Sequence, residues 1–335
     1  MLQWLRCAYE IGSRCSGGRV DDLYDITIIG GGPVGLFGAY YAGFRALRTK
    51  IVDSQPDLGG QVTALYPDKF IYDVAGFPKI LGKDLVINLV EQAMQYKPAI
   101  HLNEEVRTLA HGPDRTITLG TSGGEHLTRV LLITAGIGAF TPKTYKRPEF
   151  DKYMGHGLHY AVRRKEDFRG KDVLVVGGGD SALDWALNLL PYARQITLVH
   201  RRDGFRAHAD SVKKLLDSPI TVKVFYELRA LRGEPDISEA LIFNNKTGQE
   251  EILKVDAVLA FLGLVSNLGP ISTWGLNLED DAIVVNTRME TNLSGVYAAG
   301  DIVTFPGKLK LIATGFGESA TAVNNAARYI NPDAS

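Results

Sequence analysis

Cysteine is almost absent from this chain of 335 residues. The only two, Cys7 and Cys15, both lie within the first twenty positions. Two thiols so close together near one end make neither a disulfide framework nor a cysteine metal site. An otherwise cysteine-free chain with free thiols is typical of a reducing compartment. The sequence therefore predicts a cytoplasmic protein with no metal site.

Long apolar runs and an excess of one charge are also missing. The longest candidate, Val258–Val265, has the length of a strand, whereas a membrane helix needs roughly 18 apolar residues. A net charge of −1 argues against a general nucleic-acid binder. Arg6 and Glu10 interrupt the apolar character of the first segment, so it does not fit a signal peptide. We expect residues 1–20 to be a disordered extension, with neither membrane nor nucleic acid as a partner.

What the sequence does contain is a repeated strand–loop–helix–strand pattern. In the first copy the apolar stretch Tyr24–Ile29 runs into GGGPVG, which begins at Gly30. The pattern predicts a helix from Pro33 to about Arg45 and a second strand, Lys50–Val52, that ends at Asp53.

The second copy repeats this order after 147 residues. Val173–Val176 runs into GGGDSA, a helix is predicted from Ser181 to about Leu190, and the strand Ile196–Val199 ends at His200. In each copy the residue that ends the second strand follows the first glycine by 23 positions. A glycine-rich loop in this context predicts two Rossmann-like dinucleotide-binding units in an α/β protein.

Each glycine of the first loop has a separate predicted role. Gly30 makes the tight turn, Gly32 lets the backbone approach a pyrophosphate, and Gly35 lets the helix pack closely against the strand. In the second loop Gly177 and Gly179 take the first two roles. The helix that follows presents unpaired N–H groups and partial positive charge to the phosphates.

The residues after the second strands distinguish the two ligands. Asp53 can accept hydrogen bonds from a ribose diol, which suits an unphosphorylated adenosine ribose such as that of FAD. The second unit has His200, Arg201, Arg202 and Arg206 instead. Guanidinium groups bind a 2′-phosphate with charge-assisted hydrogen bonds, so the second site is predicted to prefer NADP(H) over NAD(H).

Six stretches carry a resemblance to a known family. They are DITIIGGGPVGLFGAYYAGFR, LGGQVTALYPDKFIYDVAGFP, VVGGGDSALDWALNL, HRRDGFRAH, METNLSGVYAAGD and LIATGFGESATAVNNA. Together they resemble the thioredoxin-reductase-like (type 2) ferredoxin–NADP⁺ reductases over about residues 23–331. The resemblance implies a thioredoxin-reductase-like fold, with an NADP-binding domain at 141–263 inserted into an FAD-binding domain at 21–140 and 264–335.

The resemblance also implies roles for single residues. Gln61 and Tyr66 would lie beside the isoalloxazine, with Tyr66 stacked on one face, and Val106 and Phe140 match positions that contact FAD. Asp301 would bind the ribityl chain. The candidate FAD-binding residues are thus Gly30, Gly32, Pro33, Gly35, Asp53, Gly60, Gln61, Tyr66, Val106, Phe140 and Asp301. The candidate NADP-binding residues are Gly177, Gly179, Asp180, Ser181, His200, Arg201, Arg202 and Arg206.

The end of the chain gives independent support to this arrangement. Asp301 follows a predicted strand, Gly295–Ala299, at the end where open α/β sheets bind ligands. The glycines at Gly315 and Gly317 predict a helix that begins near Glu318, whose N-terminal dipole would stabilise negative charge on reduced flavin. In the family a C-terminal tail commonly covers the second flavin face. Here the sequence ends soon after Tyr329, so the residue that covers this face is left open.

A thioredoxin reductase of this architecture carries C-x-x-C just before its NADP-binding strand. The corresponding stretch, His159–Gly170, contains no cysteine, which excludes dithiol exchange. Electrons would leave the flavin directly, so no catalytic side chain is predicted.

Three functions remain open on this reasoning. The first is electron transfer between NADP(H) and an acidic ferredoxin, with basic residues such as Lys143, Lys146 and Arg147 steering the partner. The second is an NAD(P)H dehydrogenase that reduces free flavin, quinone or oxygen, and the third is a flavin-bearing redox sensor. A complete NADP site argues against the sensor. The resemblance also implies a homodimer.

Overall fold

The structure is a computed structural model that describes residues 23–136, 138, 141–162, 164–265 and 267–333. The predicted N-terminal extension, Cys7, Cys15 and Phe140 lie outside these residues. The chain divides into two compact units. The first takes in the described residues of Met1–Ala64, Phe70–Ala139 and Ser266–Ser335, and the second those of Leu65–Lys69 and Phe140–Val265.

The elements are numbered here in chain order. The strands are β1 Leu23–Ile29, β2 Thr49–Val52, β3 Phe70–Ile71, β4 Ile80–Leu81, β5 Ala99–His101, β6 Val106–His111, β7 Ile117–Thr121, β8 Glu125–Ile133, β9 Thr141–Pro142, β10 Leu158–His159, β11 Asp172–Val176, β12 Gln195–His200, β13 Thr221–Val224, β14 Tyr226–Arg232, β15 Glu239–Asn244, β16 Glu250–Lys254, β17 Ala257–Ala260, β18 Leu264–Val265, β19 Leu278–Glu279, β20 Ala282–Val284, β21 Val296–Ala298 and β22 Val303–Thr304. The α-helices are α1 Pro33–Phe44, α2 Gly60–Leu65, α3 Gly82–Met94, α4 Pro148–Asp151, α5 Asp180–Asn188, α6 Ala209–Leu216 and α7 Ile312–Ile330.

The main sheet of the first unit has the order β5-β2-β1-β8-β7-β6, and β21 also pairs with β8. Strands β1, β2, β5, β8 and β21 run parallel, whereas β7 is antiparallel to both of its neighbours, β8 and β6. Parallel strands end at the same edge of a sheet. The Gly30 loop after β1, Asp53 after β2 and Thr134 after β8 therefore share one edge, as a nucleotide site in an open α/β sheet requires.

The core of the first unit lies between this sheet and helices α1 and α7. Ile26 and Ile28 of β1 and Leu132 of β8 are fully buried. Gly38 allows α1 to approach α7 closely, because a Cβ there would lie 2.5 Å from the Ser319 hydroxyl oxygen. A side chain at this position would push the two helices apart.

The second unit is built on an all-parallel sheet with the order β10-β17-β11-β12-β13. Its central strands are apolar on both faces, as parallel strands covered by other elements must be. Val173 and Val175 of β11 point into one buried cluster, and Leu174 and Val176 into the other. A three-stranded antiparallel sheet, β14-β15-β16, packs on the second cluster.

The predicted elements of both repeats are present within two residues of their expected bounds, and the predicted α/β fold with two Rossmann-like units is confirmed. Within the described ranges, no helix is both long and apolar enough to cross a membrane.

The predicted start of the last helix is wrong. Helix α7 begins at Ile312, not near Glu318, so Gly315 and Gly317 lie inside its first turns. Glycine is a poor helix former, which favoured the later start. Packing explains the glycine at position 315, because a Cβ there would lie 2.5 Å from a methyl group of Val34.

Candidate nucleotide-binding sites

Two glycines of the first loop are required by close backbone approach. Gly30 has φ +100°, and a Cβ on it would lie 2.6 Å from the Thr134 carbonyl oxygen. A Cβ on Gly35 would lie 1.9 Å from the Gly30 carbonyl oxygen. The Thr134 hydroxyl donates to that same Gly30 oxygen at 2.9 Å. These contacts fit the predicted roles of Gly30 in the turn and Gly35 in helix packing.

Gly32 differs, because the space beside it is open. A Cβ built there would meet a single neighbour within 4 Å, the Gly60 Cα at 3.9 Å. Gly32 is the N-cap of α1 without a side-chain cap, and Pro33 occupies the first turn. The first N–H groups of the helix thus lack a side-chain acceptor. The geometry is that of a cradle for a pyrophosphate.

Asp53 holds this loop through its carboxylate. Its Oδ2 accepts the Gly31 N–H at 2.6 Å and its Oδ1 accepts the Gln55 N–H at 2.8 Å. Burial raises the pKa of Asp53, and the two backbone donors oppose that rise by stabilising the charged form. Each carboxylate oxygen has further lone pairs for a ribose hydroxyl. The residue is therefore both a structural tie of the loop and a potential ribose acceptor.

The structure brings several other FAD candidates to the same edge. Gly60 begins α2 next to Gly32, and the Gln61 amide nitrogen lies 3.2 Å from where a Cβ on Gly136 would be. Val106 is buried at the start of β6. It comes two residues after Glu104, whose N–H donates to the Asp53 carbonyl at 2.9 Å.

Tyr66 lies elsewhere. It belongs to the short segment Leu65–Lys69 that groups with the second unit, where its ring packs against the buried cluster of Val173 and Val175. Lys69 of this segment forms an ion pair with Asp184 of α5 at 2.5 Å. In this structure Tyr66 is thus a packing residue of the second unit.

Asp301 follows β21, and its neighbourhood contains an ion pair that sequence reasoning missed. Glu318 of α7 accepts the Gly300 N–H at 2.8 Å and pairs with Lys308. The two charged side chains are only 8% and 6% exposed. Burial raises the pKa of Asp301, and Lys308 and Lys310 counteract that rise. The only signal in the sequence is one carboxylate among the small residues of GFGESATA.

A second missed group lies behind Asp53. Glu104 accepts from the His126 Nε2–H at 2.7 Å and from the Thr121 hydroxyl, and its other oxygen lies 3.4 Å from His101 Nδ1. Two imidazoles and a carboxylate resemble a zinc donor set. However, the buried Lys50 ammonium lies 3.1 Å from His126 Nδ1. Lys50 thus supplies the positive charge that a metal ion would bring to this group. The group is best described as a charge-balanced cluster.

The glycine loop of the second unit has the same division of roles. Gly177 has φ +153°, and a Cβ there would lie 2.8 Å from the Phe261 carbonyl oxygen. A Cβ on Gly179 would have no neighbour within 4 Å. Gly179 is the N-cap of α5, again without a side-chain cap, so this helix also presents open N–H groups. Ser181 is exposed in the first turn.

Backbone hydrogen bonds connect this loop to the basic segment. The Arg206 N–H donates to the Gly178 carbonyl at 2.7 Å. The His208 N–H donates to the Asp180 carboxylate at 2.9 Å, which gives Asp180 a structural role in the first turn of α5. The basic segment is therefore fixed directly beside the place where a pyrophosphate would bind.

His200 sits at the centre of the basic segment. Its ring lies over Gly178, stacks on Phe205 at 5.3 Å, and places Nε2 3.1 Å from the Gly204 carbonyl. Burial lowers the pKa of His200, and the guanidinium groups of the three arginines lower it further. His200 thus contributes as a neutral ring that can donate a hydrogen bond.

Arg201, Arg202 and Arg206 converge around this ring with exposed side chains. Other arginines of the unit are neutralised, such as Arg194 by Asp172. No carboxylate in the described part of the chain forms an ion pair with these three. Guanidinium groups without a carboxylate partner, beside an open helix N-terminus, have the chemistry to bind an anion.

Comparison with known proteins identifies the family. Residues 24–326 match the pyridine nucleotide-disulphide oxidoreductase family. The chain belongs to this family. It is 53% identical over 314 residues to a ferredoxin–NADP reductase 2 of Shouchella clausii, covering 93% of this chain and 95% of the relative. It is 50% identical to a ferredoxin–NADP reductase of Thermus thermophilus, covering 93% and 94% of the two chains.

Solved structures agree on the fold. A thioredoxin reductase of T. acidophilum superposes with a TM-score of 0.82 at 24% identity, covering 91% of this chain and 98% of that one. The thioredoxin reductase of Lactococcus lactis gives 0.81 at 25% identity, covering 92% and 99%. The predicted thioredoxin-reductase-like fold and the resemblance to its ferredoxin–NADP⁺ reductases are confirmed.

This member of the pyridine nucleotide-disulphide oxidoreductase family has no thiol pair before its second glycine loop. The stretch between β10 and β11 is mostly charged, and its buried residues are apolar. Val162 and Phe168 are buried, and the His159 ring meets Phe168 edge-on at 5.3 Å. Burial also lowers the pKa of His159. The chain thus has the family fold without a disulphide centre at this position.

Proposed function

We propose that this protein is a ferredoxin–NADP⁺ reductase, in which FAD mediates electron transfer between NADP(H) and ferredoxin without a redox-active disulfide. The observation that carries the proposal is about 50% identity, over more than nine tenths of both chains, to several proteins named ferredoxin–NADP reductase. The two glycine loops with different strand-end residues support it from the residues themselves.

We assign FAD binding to residues 21–140 and 264–335. The fit rests on the open space beside Gly32, the uncapped start of α1 at Pro33, and the Asp53 carboxylate. Gly60, Gln61, Val106, Phe140 and Asp301 complete the proposed FAD site together with Gly30 and Gly35. Tyr66 as the residue stacked on the isoalloxazine stays a prediction.

We assign NADP(H) binding to residues 141–263. The open space beside Gly179 and the uncapped start of α5 suit the pyrophosphate, and three unpaired arginines suit a 2′-phosphate. Asp180 would act by fixing the loop, as its bond to the His208 N–H suggests. Gly177, Ser181 and His200 complete the proposed site.

The chain's own contribution to the reaction is binding, positioning and electrostatics. Bound FAD would supply both the hydride-accepting and the one-electron chemistry. The α1 N-terminus would neutralise its pyrophosphate, and Asp53 would orient its ribose. Lys308 and Glu318 hold the Gly300–Asp301 turn beside α7. No side chain is required to move a proton in the hydride step, so we assign no acid–base pair.

The alternative, a dehydrogenase acting on free flavin, quinone or oxygen, is not favoured by these relatives. We propose an acidic ferredoxin as the partner, a cytoplasmic location, and a homodimer. A connected aromatic surface of the first unit supports self-association. Ring centroids of Phe316, Phe37, Tyr40 and Tyr96 follow one another at 5.0–5.9 Å, and Phe44 beside them is 61% exposed.

The test is turnover of the FAD-loaded protein with NADPH and three acceptors: a ferredoxin, a neutral quinone and thioredoxin. We expect turnover with ferredoxin to fall as salt rises, because charge steering is screened over about 8–10 Å at ordinary ionic strength. The quinone rate should hardly respond, and thioredoxin should not be reduced. A variant without residues 1–20, which lacks both cysteines, should keep ferredoxin turnover. Equal salt effects on both rates would contradict ferredoxin as the partner.

A further inference from the structure

The basic segment of the second unit continues into a surface cleft that also involves a different part of the chain. The cleft has a volume of about 590 Å³ and is lined by Arg201, Arg202, Asp203, Phe225, Asn245 and Lys246. Its volume suits the adenosine end of a nucleotide. Asn245 and Lys246 come from the turn between β15 and β16, far in sequence from the arginines.

Hydrogen bonds fix this turn against the basic segment. The Asn245 side-chain amide donates to the Arg201 carbonyl at 2.9 Å and to the Glu227 carboxylate at 2.9 Å. The Asn245 backbone N–H donates to the Phe225 carbonyl at 2.7 Å. The turn itself is closed by Asn244, whose side-chain oxygen accepts the Lys246 N–H at 2.9 Å. Lys246 is therefore held in a defined place beside Arg201.

Phe225 forms the floor between the two segments. It has φ +63°, a left-handed conformation that bulky residues rarely adopt and that costs of order 1–3 kcal/mol. This backbone points the Phe225 carbonyl to Asn245, and the Lys246 ammonium lies 5.5 Å above the Phe225 ring. Within the described ranges no carboxylate pairs with Lys246. Lys246 is thus the third cation that lines the cleft, with Arg201 and Arg202, and Asp203 is the one acidic residue of the lining.

We propose that Lys246 binds the 2′-phosphate of NADP(H) together with Arg201, and that Asn245 positions Lys246. The inference rests on the proposed function, since it requires an NADP site in this unit. Lys246 would raise discrimination between nucleotides with and without the 2′-phosphate. Asn245 acts by holding the turn that carries Lys246 against the Arg201 carbonyl.

The experiment measures binding to the FAD-loaded full chain by isothermal titration calorimetry, with 2′,5′-ADP and 5′-ADP as probes. We expect Lys246→Ala to weaken binding of 2′,5′-ADP about three- to tenfold, because the lost contact is an exposed ion pair with a multiply charged group. Affinity for 5′-ADP should change less than about twofold, within the range of neutral surface changes. Lys246→Arg should keep the discrimination.

The matched control is Lys254→Ala, which removes a cation at the end of β16, the strand that follows the turn. It should bind both probes as the unmodified protein does. Asn245→Ala should reduce discrimination without weakening 5′-ADP. Because Asn245 acts through Lys246, the double variant should lose little more than Lys246→Ala alone.

Two failures are distinguishable. If Arg206→Ala destroys discrimination while Lys246→Ala binds both probes normally, the role of Lys246 is refuted and the NADP site stands. Equal loss of both probes in Lys246→Ala would also refute it, because only a general structural effect acts in this way. If the unmodified protein binds 2′,5′-ADP and 5′-ADP equally well, both the proposed NADP preference and the role of Lys246 are refuted.

Discussion

Replacing Lys308 by methionine removes the ammonium group that neutralises Glu318, which lies in the second turn of α7. The Glu318 carboxylate, 8% exposed, would keep the Gly300 N–H at 2.8 Å as its remaining hydrogen-bond donor among the described residues. Removing one partner of a buried ion pair costs about 3–5 kcal/mol, because the other charge is left without compensation. We therefore expect Lys308→Met to lower the free energy of unfolding of the first unit by about this amount.

The same substitution should also weaken FAD binding. Lys308 counteracts the effect of burial on the pKa of Asp301, so its loss raises that pKa further. Asp301 would then protonate at a higher pH than in the unmodified protein. Acidification would therefore remove the charged Asp301 carboxylate, the proposed acceptor for the ribityl chain, sooner in the variant. Urea denaturation of the FAD-loaded protein, followed by the fluorescence of released FAD at pH 6 and pH 8, measures both effects.

Arg107→Met is the matched control in the same unit. Arg107 pairs with Glu105, and the two side chains are 60% and 50% exposed. Such a pair contributes about 0.2–1 kcal/mol at most. The double variant Lys308→Met/Glu318→Gln leaves no charge behind and should be more stable than Lys308→Met alone. If Lys308→Met costs no more than Arg107→Met, the pair does not hold the Gly300–Asp301 turn as described.

Three further predictions concern other parts of the molecule. Arg201→Ala or Arg206→Ala should raise KM for NADPH about ten- to a hundredfold, since a charge-assisted hydrogen bond contributes about 1.5–3 kcal/mol. Equal kcat/KM for NADPH and NADH in the unmodified protein would contradict this prediction. Gly32→Ala should fold yet bind FAD less well. Gly35→Ala should fail to fold, because its Cβ would lie 1.9 Å from the Gly30 carbonyl oxygen. Soluble yield and FAD content distinguish the two outcomes. Burial lowers the pKa of His101 in the folded state below the ordinary value of 6.5. The neutral His101 ring therefore stabilises the folded state above pH 6.5, and this contribution is lost as the pH falls from 6.5 through the lowered pKa. The urea midpoint should therefore drop between pH 7.5 and 5.5, and a smaller drop in His101→Gln is the check.

The sequence predicted the repeats because their signals are local. A buried strand, a glycine loop and the helix after it lie within about twenty residues, and steric rules give each glycine its place. Gly30, Gly35 and Gly177 are confined by carbonyl groups in this way. The predicted roles of Asp53 and the arginines rest on their charge at a defined strand end.

Features that depend on distant residues could not be predicted. The Lys308–Glu318 pair is close in the sequence, but nothing in the sequence marks these two charges as buried. The β15–β16 turn meets Arg201 only because β12, β13 and β14 bring the two together in space. Helix α7 includes Gly315 despite the low helix propensity of glycine, and the close approach of Val34 that requires a glycine there cannot be seen in the sequence.

The connection between the second glycine loop and the basic segment has a consequence for how coenzyme choice can change. The bonds that tie them, from the Arg206 N–H to Gly178 and from the His208 N–H to Asp180, use donors of the main chain. Any side chain except proline can occupy positions 206 and 208 without breaking them. The guanidinium groups can therefore be exchanged for other groups while the loop proposed to hold the pyrophosphate keeps its shape. A lineage with this architecture can move between the two nicotinamide coenzymes through a few surface substitutions, each tolerated on its own.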